Sequence, residues 1–113
     1  MDQRNQPAGA RRAALLLAMA GCFLLSACGG GGSPLSGPSE TVQLYRNRCL
    51  NCHGTELQGR MGDQSNLQKV GQRLSKEQIT ARITSGGSLM PPFEDTLTAE
   101  EIEQLADWLA AKR

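Results

Sequence analysis

Apolar residues are spread unevenly along this chain, and each stretch predicts a different element. The longest apolar run comes first, from Ala13 to Leu25. It follows Arg4, Arg11 and Arg12 and gives way to small residues, the layout of a secretory signal over residues 1–27. A membrane span needs about 20 apolar residues, so the run is short for one, with an uncleaved anchor as the alternative. From Gly29 to Pro38 the pattern stops in Gly-Gly-Gly-Gly-Ser-Pro-Leu-Ser-Gly-Pro, a flexible linker by composition, which sets a linker over residues 28–38. Beyond it, Val42 and Tyr45 lie three apart, predicting a helix from Ser39, as N-cap, to about Arg48. Gly54 to Gly71 is polar and Gly-rich, a loop with room for a short helical turn. Two later helices are better marked. Ser75 and Gln78 form a capping box with Leu74 and Ile79 as its hydrophobic staple, and Ile79 and Ile83 share a face until Gly86-Gly87. Thr98 and Glu101 repeat the box, Leu97 and Ile102 the staple, and Ile102, Leu105, Ala106 and Leu109 form the buried stripe. No strand and no repeat is visible. The pattern predicts an all-α domain of three to four helices over residues 39–113.

Within that frame one pentapeptide carries chemistry: Cys49-Leu50-Asn51-Cys52-His53. C-x-x-C-H is the attachment pattern of a c-type haem. Residues i and i+3 of a helical turn face the same way, so both thiols can add to the two vinyl groups of one porphyrin. His53 follows directly and can reach the iron from the same side. A thioredoxin-like pair would need a βαβ context, which is missing. A structural zinc site would need four ligands, and His53 is the one histidine of the chain, with no second ligand pair.

The other cysteines and the charges refine the picture. Leu25-Ser26-Ala27-Cys28 resembles the bacterial lipobox, which implies cleavage before Cys28 and lipidation of that residue. Cys22 leaves with the signal, so no thiol remains for a disulfide. From Cys28 onward nine basic residues stand against ten acidic ones, which argues against nucleic acid as a partner. A domain this small, with Tyr45, Phe93 and Trp108 as its aromatics, needs a staple, and one haem would supply much of its core. Charge is also divided. Ser39 to Ser85 holds seven basic and four acidic residues, Gly86 to Arg113 two and six. A solvated surface suited to the helix dipoles explains this, and so does a dipole that turns the haem edge, ringed by Arg46, Arg48 and Arg60, toward a partner.

A haem iron has a sixth position. Met90, in Leu89-Met90-Pro91-Pro92-Phe93 between the last two helices, is the candidate ligand, since its thioether is soft and the prolines stiffen its loop. Met61, eight residues after His53, and an open position are the alternatives.

The order helix, CxxCH, loop, helix, Met-Pro loop, terminal helix resembles a small class I, monohaem cytochrome c. Tyr45-x-x-x-Cys-x-x-Cys-His-Gly54, Val70-Gly71-Gln72-Arg73-Leu74-Ser75, Met90-Pro91 and Trp108-Leu109-Ala110-Ala111-Lys112 look closest to the lipid-anchored type of Gram-positive bacteria. The resemblance covers about Glu40 to Arg113. It implies that Tyr45 packs on the terminal helix, against Trp108 or Leu105. It also implies a turn whose carbonyl accepts from the proximal histidine. The family has Pro-Asn-Leu there, and this chain has Ser65-Asn66-Leu67.

Together these features predict one haem c held by Cys49 and Cys52, iron ligated by His53 and Met90, and no enzymatic turnover of a small molecule. The expected activity is one-electron transfer by a monomer lipid-anchored at Cys28 to the extracytoplasmic face of a cell membrane. Its partners would be respiratory complexes such as a quinol-cytochrome c oxidoreductase and a terminal oxidase. The rival readings are a haem sensor or small haem enzyme with a labile Met ligand, and a dedicated cytochrome subunit of a larger oxidoreductase.

Overall fold

The computed structural model describes residues 32–113. The leader over 1–27, the lipidation candidate Cys28 and the first residues of the linker lie outside the described residues. The described residues form five helices, α1 (Ser39–Arg48), α2 (Leu50–His53), α3 (Val70–Arg73), α4 (Lys76–Ser85) and α5 (Ala99–Ala110), with a 3-10 turn at Asp63–Ser65. Among the described residues there is no strand. The count exceeds the expected three to four because α2 and α3 are single turns, too short to show a period.

Both predicted capping boxes are present. Gln78 N donates to Ser75 Oγ at 3.2 Å and Ser75 N to Gln78 Oε1 at 2.9 Å. Glu101 N donates to Thr98 Oγ1 at 3.1 Å and Thr98 N to Glu101 Oε2 at 2.8 Å. Each cap contributes about 1 kcal/mol by satisfying amides the helix cannot pair itself. The staple residues Ile79, Leu97 and Ile102 are buried, and Leu74 packs against the core.

α5 is the spine of the domain. It buries Ile102, Leu105, Ala106, Trp108 and Leu109 and receives α1, α3 and α4. α1 brings Thr41 and Tyr45, and α4 brings Ile79 and Ile83. Tyr45 meets Trp108 edge to face, with ring centroids 5.4 Å apart and planes at 61°. This is the expected contact of the aromatic before the first Cys with the terminal helix. α3 exists because of α5: Gly71 N donates to Lys112 O at 2.8 Å, and a Cβ on Gly71 would run into Ala110 O. Only glycine lets the two backbones approach this closely.

Two expectations fail at the start of the domain. Ser39 does not cap α1; Pro38 holds the N-cap position and no side chain caps it. The segment from Ser33 to Pro38, read as flexible linker, is mostly exposed but is tied to the domain at Pro34, Leu35 and Ser36. Leu35 belongs to the core, and Trp108 Nε1 donates to Ser36 O at 2.9 Å. Lys112 Nζ donates to Pro34 O at 2.7 Å and lies 4.4 Å from the centre of the Trp108 ring. Composition suggested freedom because the partners that remove it lie more than 70 residues away.

Candidate functional site

The chain turns at Cys49, which ends α1 and begins α2 with φ −119° and ψ −30°. Cys49 N donates to Tyr45 O at 2.8 Å, and His53 N to Cys49 O at 2.9 Å. The C-x-x-C-H segment is thereby one helical turn, as its spacing predicts. Cys49, Cys52 and His53 all line one cavity of about 410 Å³. Burial, and then the neighbouring Cys52, push the Cys49 thiol up to about 11. A redox pair of the thioredoxin kind needs the opposite shift, a thiolate near neutral pH.

His53 is held from behind. Its Nδ1 lies 2.7 Å from Ser65 O. A carbonyl can only accept, so Nδ1 carries a proton, and in the neutral ring the lone pair sits on Nε2. The carbonyl serves without a proline, from Ser65 of the Ser65-Asn66-Leu67 segment. Three further bonds fix the surroundings: Gly59 N to His53 O at 2.7 Å, Arg60 N to Cys52 O at 2.8 Å, and the buried Tyr45 hydroxyl to Gly54 O at 2.6 Å. Burial first, then Cys49, raise the Tyr45 hydroxyl above its ordinary value, so it stays a donor. Leu57, in the same loop, has φ +62° and is 1 % exposed. The left-handed backbone costs a leucine about 1–2 kcal/mol. Burying its side chain gains roughly 1.5–3 kcal/mol, so packing wins.

Met90 and Met61 both line the cavity, in different settings. Met90 is half-buried against the core, while Met61 is 52 % exposed. The loop bearing Met90 folds back on the end of α4. Gly87 N donates to Met90 O at 2.8 Å, and Phe93 N reaches Ile83 O at 3.1 Å. Gly86, at φ +70°, makes the turn, and a Cβ there would collide with Met90 O. The prolines are thus one of two restraints; the other is the carbonyl end of α4, which accepts from Phe93 N.

The remaining walls are chiefly apolar: Leu67, Val70, Leu74, Ile79, Phe93 and Leu109. Three exposed arginines, Arg48, Arg73 and Arg82, also line the cavity, and among the described residues no carboxylate does. Of the arginines expected around the haem edge, Arg46 and Arg60 are not among the lining residues. Arg73 and Arg82 were missed, since nothing in their spacing points to the cavity. Ser65 Oγ was missed too, for its role depends on a loop closed in space. Among the described residues no three His, Cys, Asp or Glu side chains converge to hold a metal ion by themselves. A porphyrin fits what is present. Two thiols one turn apart, an imidazole with its lone pair on Nε2, a thioether from another element, an apolar slot, and cations for two carboxylates meet in one place.

The family model described as "Cytochrome C oxidase, cbb3-type, subunit III" matches residues 37–109. Cytochrome c-551 of Bacillus subtilis (strain 168) is 31% identical over 109 residues, covering 88% of this chain and 94% of that protein. Cytochrome c6 of the diatom Phaeodactylum tricornutum aligns at a TM-score of 0.55 with 27% identity, over 63% of this chain and 87% of the other. Cytochrome c6C of Synechococcus sp. PCC 7002 shares the fold, with a TM-score of 0.55 and 24% identity over 63% of this chain and 90% of the other.

Proposed function

The chain belongs to the small monohaem cytochromes c, and on that premise we propose that it is a lipid-tethered electron carrier whose haem is attached through Cys49 and Cys52 and ligated by His53 and Met90. That it binds one covalent haem c and transfers electrons rather than turning over a substrate follows from its family. The bound haem supplies a one-electron ferric–ferrous couple. The chain's own residues do the rest. Cys49 and Cys52 anchor the macrocycle at α2, His53 offers Nε2 while Ser65 O holds Nδ1, and the folded-back Met90 loop brings the thioether. Apolar walls keep water away, which limits reorganisation when the charge on the metal changes. The observation that carries this reading is that His53, backed at 2.7 Å by Ser65 O, and Met90 line the same apolar cavity from different elements.

Tethering rests on the sequence. Among the described residues no helix is long and apolar enough to cross a membrane. A lipid on Cys28, after removal of residues 1–27, would hold the domain on the extracytoplasmic face. Respiratory complexes such as a quinol-cytochrome c oxidoreductase and a terminal oxidase would then be its donor and acceptor. Cys28→Ser is expected to move the haem domain to the soluble fraction or to block processing. Membrane-bound, fully processed Cys28→Ser protein would instead require another tether.

A second reading, a dedicated subunit of a larger oxidase, is favoured by the description of the matching family model. Mild extraction and native electrophoresis separate the two, because a free carrier migrates alone.

Encounter with a partner would use an arginine at the cavity. Three of the six acidic residues of the C-terminal stretch are occupied structurally: Glu101 completes the α5 capping box, and Lys76 Nζ lies 2.8 Å from Glu103 Oε2 and 2.9 Å from Asp107 Oδ1. The uneven charge is therefore partly a brace between α4 and α5. With Arg73 and Arg82 given to the haem carboxylates, the exposed Arg48 is left for steering an acidic partner. The bimolecular electron-transfer rate is expected to fall several-fold as salt rises through 0.1 M, where screening acts over about 10 Å. Arg48→Glu should slow the same step. Stopped-flow rates indifferent to salt and to this reversal would reduce the charges to a solvated surface.

A further inference from the structure

We propose that the side-chain hydroxyl of Ser65 is a positioning group for His53, bracing the Ser65 carbonyl against Nδ1 and so setting how strongly the imidazole donates to iron. The inference rests on the reading of His53 as axial ligand. Ser65 ends the 3-10 turn Asp63–Ser65 and is 7 % exposed. Its hydroxyl donates to Gly62 O at 2.7 Å and accepts from Met61 N at 3.0 Å. Its own N–H reaches the same Gly62 carbonyl at 3.0 Å. One buried hydroxyl thus ties residues 61, 62 and 65 into a closed loop. A three-residue 3-10 turn has poor hydrogen-bond geometry by itself and does not fix a carbonyl direction.

The far side of the brace is closed as well. Asn66 N donates to Asp63 O at 3.2 Å, so both polar groups of the Ser65–Asn66 peptide are engaged. A Cβ on Gly59 would lie 2.6 Å from Ser65 Oγ and 2.7 Å from Asn66 N. The missing side chain lets Ser65 pack directly on the Gly59–Arg60 backbone, whose amides bond His53 O and Cys52 O. The carbonyl is therefore held by its own residue's hydroxyl and by the chain that holds the ligand turn. A firm Nδ1–H···O bond raises the basicity of a ligating imidazole and favours the ferric state. A loosened one weakens donation and raises the potential.

The test compares holoproteins carrying Ser65→Ala, and the isosteric pair Ser65→Thr and Ser65→Val, which crowd Gly59 alike but differ in the hydroxyl. In Ser65→Ala the His53 Nδ1 proton, followed by NMR, is expected to exchange at least tenfold faster, with a raised reduction potential and the Met–iron absorption retained. Ser65→Val should match Ser65→Ala in both quantities, and Ser65→Thr should match the unaltered protein. If Ser65→Ala does not assemble, the Thr/Val pair carries the comparison alone. Equal exchange and equal potential with and without the hydroxyl, even with a lowered melting temperature, would overturn the proposal. An unaltered ferric protein without a hyperfine-shifted His53 ring would overturn the ligand assignment itself, a separate failure seen before any Ser65 variant is made.

Discussion

Replacing Cys49 and Cys52 together by alanine is expected to leave no holoprotein and no cooperatively folded domain. The reason is the size of the cavity relative to the domain. It is about 410 Å³. At about 24 cal/mol per Å³ an unfilled space of that volume would cost at most about 10 kcal/mol, an upper bound because it opens to solvent. Small domains have roughly 5–15 kcal/mol of stability in total, and one this short sits toward the lower end. The partly buried walls Leu67, Leu74 and Phe93 would face water instead of a porphyrin. Cys52→Ala alone, which removes one thioether, should already lose most holoprotein. Intact mass for the haem increment, acid-acetone extraction for covalent attachment, and thermal unfolding check the three statements. A double variant that melts cooperatively like the unaltered protein would contradict this account, as would an unaltered protein without the mass increment.

Met90→Ala should abolish the weak near-infrared sulfur-to-iron band and lower the reduction potential. A soft thioether favours ferrous iron, so its loss shifts the couple toward ferric. A tenfold change in that preference equals about 59 mV for one electron, and the drop is expected to exceed it. The reduced variant should also bind carbon monoxide readily, whereas the unaltered protein should resist it. Met61→Ala should do none of these things. Met61 is 52 % exposed, whereas Met90 is half-buried on a segment that Phe93 N ties to Ile83 O in the last turn of α4. The reverse pattern would move the ligand to Met61. Carbon monoxide binding to the unaltered protein without disruption would favour a sensor or enzyme with a labile ligand.

Much of this was legible in the sequence because the signals are local. A capping box reads within four residues, an amphipathic stripe within twelve, and C-x-x-C-H within five. The helical class, both late helices with their caps, the haem and the candidate ligands follow from such patterns. Tyr45 against Trp108 was available through the family resemblance, and the 5.4 Å edge-to-face pair agrees with it.

What stayed hidden depends on residues distant in sequence. Ser33 to Pro38 has the composition of a linker yet is tied to the domain, because Trp108 and Lys112 supply the partners its own residues lack. α3 is too short for a period and forms where Gly71 admits the end of α5. The carbonyl behind His53 could be guessed from Ser65-Asn66-Leu67, but not the hydroxyl that braces it, since that needs Met61, Gly62 and Gly59 brought around one loop. Arg73 and Arg82 reach the cavity only because α3 and α4 pack on α5. The sequence by itself determined the helical class, the attachment chemistry and the identity of the candidate ligands, since each depends on residue type at short spacing. Tertiary structure decided which glycines must be glycine, where the domain begins, and which charges and hydroxyls surround the site. Those depend on which backbones can approach one another, and no local pattern encodes that.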